Sequence, residues 1–244
     1  MTEILQHAVD ILSGASLYGL ITLGLALMVG LMGLMNFAYG EFIMVGGFAM
    51  YLAAGSGWLV TVLATVAAVV AVSLLTERIA FRPLRGASPL TLLVASFTVS
   101  IMLQNLARMT VGPLAKGVAP WEFIQQNVSI AGVSVPRMDI AVIVVTALLL
   151  TGLALLMKRT ALGVQLRAAA EDFEAAEIVG VRADRVIAAG FAITGLLAAV
   201  VTFVIVGQQG SVTATMGLAP VLIAFVGVII GGMGSLVGAT VGGF

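Results

Sequence analysis

A short polar stretch interrupts the apolar sequence near the N-terminus and carries the groups most able to do chemistry. Asn36, Tyr39 and Glu41 place an amide, a phenol and a carboxyl group between two long apolar runs. An ionisable side chain inside a membrane segment costs roughly 3 kcal/mol by insertion scales and is a functional candidate by default. The structural alternative is that Asn36 caps a helix beginning near residue 37, with Glu41 in its early turns. The residues alone favour capping.

Two pairs of amides lie at the ends of other apolar runs. Gln104 is followed by Asn105, and Gln208 by Gln209. Such amides could bond the ammonium or carboxylate of a zwitterionic substrate, but at these positions they usually mark the water interface or bond a neighbouring helix. The second interpretation is favoured for both pairs. The candidate residues of a translocation path are therefore Asn36, Tyr39, Glu41, Gln104, Asn105 and Gln208.

The composition limits the class of protein. The 244 residues are 61% hydrophobic and 9% charged, against about 25% charged in soluble domains. Too few polar residues remain to cover a water-facing surface, so lipid must be the solvent. Zero net charge argues against a nucleic-acid partner. The chain has no cysteine, a single histidine at His7 and no phosphate-binding loop for ATP, so we predict no metal, no cofactor and no enzyme.

Long uncharged stretches predict the fold. About 20 apolar residues cross a bilayer as a helix, and backbone groups in hydrocarbon must pair within their own segment. We expect an all-α, polytopic transmembrane helix bundle of about 7–8 spans that forms a single domain over residues 1–244. The candidate spans are 11–33, 40–55, 58–76, 89–106, 139–157, 186–206 and 217–233. The sequence stops in apolar residues without a polar anchor, which predicts that C-terminal sequence is missing.

Three charged connections give the orientation. The first, 77–85, and the third, 158–185, are two spans apart and together carry eight basic residues, against three in the second, 107–139. Basic residues concentrate in cytoplasmic connections. We therefore expect the first and third connections in the cytoplasm, with the second connection and the N-terminus outside.

The third connection contains an amphipathic helix. Leu166, Ala169, Phe173 and Ala176 recur at three- and four-residue spacing, and Gly180 is a natural helix stop. A helix lying flat on the membrane is one interpretation. Its polar face is as acidic as it is basic, which suits anionic lipid poorly and favours a protein partner.

Several motifs resemble one family. Glu174 to Gly180 reads Glu-Ala-Ala-Glu-Ile-Val-Gly, which matches the Glu-Ala-Ala, three residues, Gly core of the loop by which ABC-importer permeases contact their ATPase. Other matches occur in order at 35–41, 81–85, 103–105, 207–208 and 231–239. As an ordered set they resemble the branched-chain amino acid permeases of the LivH type (LivH/LivM family). The chain departs from that pattern at Tyr39, where the family tends to have His, and it lacks an Ile-x-Leu-Pro ending after the loop. The family also continues for several tens of residues past Phe244.

The resemblance implies a multi-pass permease of the bacterial inner membrane that imports leucine, isoleucine and valine. It further implies a paralogous permease subunit, two cytoplasmic ABC ATPase subunits and a periplasmic amino-acid-binding protein as partners, besides membrane lipid. Close relatives move urea, short amides or other amino acids, and the residues do not separate these substrates. A transporter or channel driven by an ion gradient is the rival from another class. It would need intramembrane ion ligands, for which only Glu41 is in view.

The resemblance also implies that 158–185 is a cytoplasmic coupling loop whose helix, 165–180, docks on the ATPase. The coupling residues would be Arg167, Glu171, Asp172, Glu174, Ala175, Ala176 and Gly180.

Replacing Glu174 by Arg and Gly180 by Pro should therefore abolish ATP-dependent uptake, because the docking helix would carry the wrong charge and a break. Uptake into vesicles measures the effect, and membrane fractionation should show the variant still inserted. Normal uptake by this variant would contradict the coupling role.

Overall fold

The fold is an all-α membrane bundle, as the sequence predicts. The computed structural model describes residues 2–33, 36–118, 126–130, 133–171, 176, 180–232 and 236–244. Its helices are α1 (Thr2–Met32), α2 (Tyr39–Ala53), α3 (Trp58–Thr76), α4 (Pro89–Thr110), α5 (Arg137–Arg159), α6 (Ala161–Glu171), α7 (Ala183–Gln209), α8 (Leu218–Gly231) and α9 (Leu236–Gly243). Within the described residues, α1, α3, α4, α5 and α7 are long and apolar enough to cross a membrane, whereas α2 and α8 are shorter apolar helices.

The connections confirm the relative sides that the basic residues predict. A π-helical turn, Glu77–Phe81, and a 3-10 turn, Arg82–Leu84, follow α3. Arg82 and Arg85 form ion pairs with Asp184 at the start of α7, so the first and third connections lie at the same end. We call this the cytoplasmic end.

Short strands mark the opposite, outer end of the bundle. Strands β1 (Lys116–Gly117) and β4 (Ser211–Val212) pair antiparallel, which brings the connection after α4 beside the one after α7. Strands β2 (Asn127–Ile130) and β3 (Val133–Pro136) form an antiparallel hairpin just before α5. The second connection thus contains strand structure.

Helices α1 and α7 form the centre of the bundle. Most of their length is buried, whereas less than a third of α3, α4 and α5 is buried. The exposed side chains are large and apolar, for example Leu63 in α3, Ile101 in α4 and Leu148 in α5. Such surfaces suit hydrocarbon and not water. The outer helices therefore face lipid and the central pair forms the protein interior.

Two helices begin inside the bilayer. Helix α4 starts at the cytoplasmic end, and its Ser100 lies about 17 Å further along at 1.5 Å per residue, close to the middle of a core about 30 Å thick. Ser100 donates a 2.7 Å hydrogen bond to Glu41 in the first turn of α2. The outer end of α2 lies near Lys116, whose Nζ is 5.9 Å from the ring centroid of Tyr51. Helix α2 therefore runs from the middle of the membrane to the outer face.

The start of α8 meets the start of α2 at a close backbone contact. A Cβ atom added to Gly40 would lie 2.7 Å from the carbonyl oxygen of Gly217. Glycine lets the two backbones touch where any side chain would separate them. The short length of α2 and α8 is thus a consequence of both helices starting at mid-depth.

Gly217→Ala should therefore destabilise the bundle, because its added methyl would push the two helix starts apart. Overpacking of this kind costs about 1–3 kcal/mol. Thermal unfolding of the purified protein in detergent measures the loss. Gly152→Ala is the matched control, since nothing lies within 4 Å of the added Cβ. Equal melting temperatures for the two variants would contradict the close contact.

Candidate functional site

The carboxyl group of Glu41 is the centre of a polar site between α2 and α4. Glu41 is 1% exposed. Its Oε1 accepts hydrogen bonds from Ser100 Oγ at 2.7 Å and from Gln104 Nε2 at 2.8 Å. Gln104 Nε2 also lies 3.4 Å from Ser100 Oγ. The site holds one carboxyl oxygen firmly in a part of the membrane where water offers no alternative partner.

Helix α4 supplies its polar groups as one row. Ser96, Ser100, Gln104 and Arg108 recur every four residues, which places them on one face of the helix. Ser96 Oγ accepts a 3.3 Å hydrogen bond from the backbone N–H of Phe37, just before α2 begins. The rings of Phe37 and Phe97 stack beside it with centroids 4.0 Å apart. This row is the surface by which α4 contacts the start of α2.

Several buried polar atoms at mid-depth have no hydrogen-bond partner among the described residues. They are Glu41 Oε2, Asn36 Nδ2, Tyr39 Oη and Thr22 Oγ1. An unsatisfied polar group in an apolar interior costs about 1–3 kcal/mol, and more when it is charged. Groups retained at that cost are candidates for binding a ligand.

Asn36 supports the start of α2 and carries a second polar atom. Its Oδ1 accepts a 2.9 Å hydrogen bond from the N–H of Ala38, which supports the turn leading into α2. Its Nδ2 has no partner among the residues described around it. The helix begins at Tyr39 rather than residue 37, and it begins near mid-membrane rather than at the cytoplasmic face.

Of the three predicted path residues outside the start of α2, only Gln104 joins the Glu41 site. It bonds a neighbouring helix there, which is one of the two structural roles that its position in sequence favoured. Asn105 is exposed and its Oδ1 accepts a 3.5 Å bond from Arg108. Gln208 is exposed near the outer end of α7. The sequence analysis did not identify Ser96 and Ser100. The signal that could have found them is the four-residue spacing of polar side chains along α4.

An apolar cavity opens on the outer half of the bundle. Its volume is about 630 Å³, and α2, α3, α5 and α7 form its walls. Val142, Val145, Phe203 and Val204 line it, and Thr61 is one of few polar side chains there. The Thr61 hydroxyl already donates to the backbone carbonyl oxygens of Ala53 and Gly57. The cavity offers contacts to an aliphatic group.

The described part of the coupling loop agrees with the predicted amphipathic helix. Helix α6 ends at Glu171, and Leu166, Ala169 and Ala176 are buried while Arg167 is exposed. Gly180 has a φ of +88°, a conformation that favours glycine where a helix must stop. Asp172, Phe173, Glu174 and Ala175 lie outside the described residues.

This arrangement defines a class of protein. A multi-pass bundle with two helices that start at mid-membrane, and with a polar site at those starts, is the architecture of a membrane transport component.

Comparison with known proteins gives the family. The family described as "Branched-chain amino acid transport system / permease component" matches residues 7–244. The chain belongs to this family, and it is a multi-pass permease of the inner membrane.

Named relatives extend the comparison. The chain is 34% identical to the high-affinity branched-chain amino acid transport system permease protein BraD of Pseudomonas aeruginosa, over 98% of this chain and 82% of the relative. It is 31% identical to LivH of Escherichia coli K12, with the same coverage. A probable LivH of Methanocaldococcus jannaschii is 29% identical over 96% of this chain and 77% of the relative. No solved structure matches the chain significantly.

Glu41→Gln should raise the melting temperature or leave it unchanged. The glutamine Oε1 can still accept from Ser100 and Gln104, and a neutral amide nitrogen takes the place of the unpaired oxygen, so no charge is left buried. Thermal unfolding in detergent measures the change, and Asp10→Asn, which alters an exposed carboxyl in α1, is the matched control. A loss of several degrees in Glu41→Gln alone would mean that the carboxylate only stabilises the fold.

Proposed function

We propose that this chain is the permease subunit through which an ABC importer moves leucine, isoleucine and valine across the inner membrane. The observation that carries the proposal is the family match along nearly the whole chain, together with relatives named for branched-chain amino acid transport. The protein would act with a related permease, two cytoplasmic ATPases and a periplasmic binding protein.

Glu41 is the proposed contact for the substrate's ammonium group. Ser100 and Gln104 hold Oε1, which leaves Oε2 as a fixed acceptor with no partner in the part of the chain that the structure describes. A substrate ammonium is the cation that every amino acid offers, and in a low-dielectric site its hydrogen bond to a carboxylate is strong. Asn36 and Tyr39 lie at the same helix start and are proposed to line the path, with Asn105 and Gln208 nearer its outer end.

The apolar cavity favours an aliphatic substrate over the alternatives that the sequence left open. Urea and short amides need several hydrogen-bond partners, and a site without them leaves those groups unpaired at a cost of about 1–3 kcal/mol each. A leucine, isoleucine or valine side chain needs only apolar contact. The cavity lies at the outer end, where a periplasmic binding protein would release its substrate.

The energy for transport would come from the partner ATPases. Arg167 on the exposed face of α6, with Glu171, Asp172, Glu174, Ala175 and Gly180, is proposed to form the docking surface. Ala176 is buried and is proposed to support that surface from beneath. The apolar stripe of α6 already packs against the bundle. The exposed face is thus the part left for a partner.

ATP-dependent uptake by the reconstituted complex tests the function. Vesicles containing the full complex should accumulate leucine, isoleucine and valine and should not accumulate urea. Glu41→Gln should raise KM by about tenfold or more, because a hydrogen bond to a charged group contributes roughly 1.5–3 kcal/mol. Asp10→Asn should transport normally.

Two results would contradict these proposals separately. Uptake of urea in preference to leucine would overturn the substrate assignment and leave the permease role in place. Uptake driven by a proton gradient in vesicles without ATP would overturn the importer. An unchanged KM in Glu41→Gln would remove Glu41 from the path.

A further inference from the structure

Four charged side chains at the cytoplasmic end form one connected group, which we call the charge cluster. The guanidinium groups of Arg82 and Arg85 both donate to the carboxylate of Asp184, and Arg85 also donates to Glu77. The cluster joins the connection between α3 and α4 to the first turn of α7. It is therefore a bridge between two parts of the chain that are about 100 residues apart.

The buried end of the cluster makes it more than a surface ion pair. Arg82 and Asp184 are 45% and 51% exposed, and a pair of that kind contributes about 0–1 kcal/mol alone. Glu77 is only 6% exposed. Removing its partner Arg85 would leave a buried charge uncompensated, which is strongly destabilising. Arg85 is thus held in place by Glu77 and presents its other nitrogen to Asp184.

Buried contacts beneath the cluster join the same two elements. The rings of Phe81 and Phe191 have centroids 5.6 Å apart. Ser73 Oγ donates a 2.7 Å hydrogen bond to the carbonyl oxygen of Phe191. The end of α3, the turn that follows it and the start of α7 are therefore packed as one unit.

Helix α4 leaves directly from this unit. It begins four residues after Arg85, with Ser88 Oγ accepting a 3.3 Å hydrogen bond from the N–H of Thr91. Most of the remaining surface of α4 is exposed. Its polar contacts with the bundle are those of Ser96, Ser100 and Gln104 at the start of α2. Helix α4 is thus held at its cytoplasmic end and again at Glu41.

The coupling loop is also connected to this unit, because it leads directly into α7. Asp184 comes four residues after Gly180, where the coupling helix is expected to end. The N–H of Val181 donates a 3.0 Å hydrogen bond to the carbonyl oxygen of Ala176, which ties the residue after Gly180 to the coupling loop. A displacement of the coupling loop reaches Asp184 before the rest of α7.

We propose that Asp184 is a positioning residue for transport. Through the charge cluster it makes α4 follow the coupling loop, so that Ser100 and Gln104 shift against Glu41 when the ATPases close. The proposal rests on the proposed function, because it needs an ATPase to move the loop and a substrate to be released at Glu41.

Asp184→Asn should uncouple the reconstituted complex. ATP hydrolysis should continue while leucine transported per ATP falls by about tenfold, because the neutral amide no longer holds both guanidinium groups. Asp184→Glu should restore coupling to within about threefold. Arg185→Gln, which changes the exposed neighbouring residue, is the control and should behave as wild type. Equal loss of assembly, hydrolysis and uptake in Asp184→Asn would indicate a structural role and overturn the proposal.

A covalent bridge gives an independent test. The chain has no cysteine, so Arg82→Cys combined with Asp184→Cys can be joined by a short bifunctional thiol reagent with no competing thiol in this chain. The double variant should be uncoupled before the reagent is added and should regain uptake after it. Failure of the bridge to restore uptake, or inhibition by the bridge, would show that the pair must separate and would overturn the proposal.

The two levels of proposal fail in different ways. Absence of ATP-dependent amino acid uptake in the wild-type complex would overturn the proposed function. Stimulation of ATP hydrolysis by the loaded binding protein would then still test Asp184. Weaker stimulation in Asp184→Asn supports the positioning role, and equal stimulation overturns it.

Discussion

A carboxyl group in the hydrocarbon region can bond only to the protein around it, and this constraint organises the contact between α2 and α4. Apolar side chains do not distinguish a neighbouring helix from lipid, so they give α4 little reason to adopt one position. The hydrogen bonds from Ser100 and Gln104 to Glu41 can form only with the protein and not with lipid tails, so they favour one position of α4. The position of α4 on the bundle therefore depends on a few polar groups, which is an arrangement that can change when their partner changes.

A helix that starts inside a membrane raises a second requirement. Its first N–H groups have no partner within the helix and no water nearby. Asn36 Oδ1 and Ser96 Oγ accept from the backbone just before α2, and the contact between Gly40 and Gly217 brings a second helix start alongside. The residues that satisfy the backbone also surround the unpartnered atoms. Capping the helix therefore does not use up the polar atoms of these side chains, and those that remain are available to a ligand.

The sequence predicted most of the helices closely. The span 58–76 coincides with α3, and 40–55 corresponds to Tyr39–Ala53. Such agreement is expected because a long apolar run without charge has one stable form in lipid. The site was predicted only in part. Glu41 stood out as an isolated charge, whereas Ser100 did not, because serine is common in membrane helices and its meaning depends on what it faces.

The sequence by itself determined the solvent, the helices and the fact that the two most basic connections share one end of the bundle, since all three follow from local composition. Only the tertiary structure decided that α2 and α8 begin at mid-depth, that Gln104 faces Glu41 and that Arg82 and Arg85 share Asp184. These features depend on which helix faces lie together. Hydrophobic periodicity specifies that weakly in a membrane, because lipid satisfies an apolar face as well as protein does.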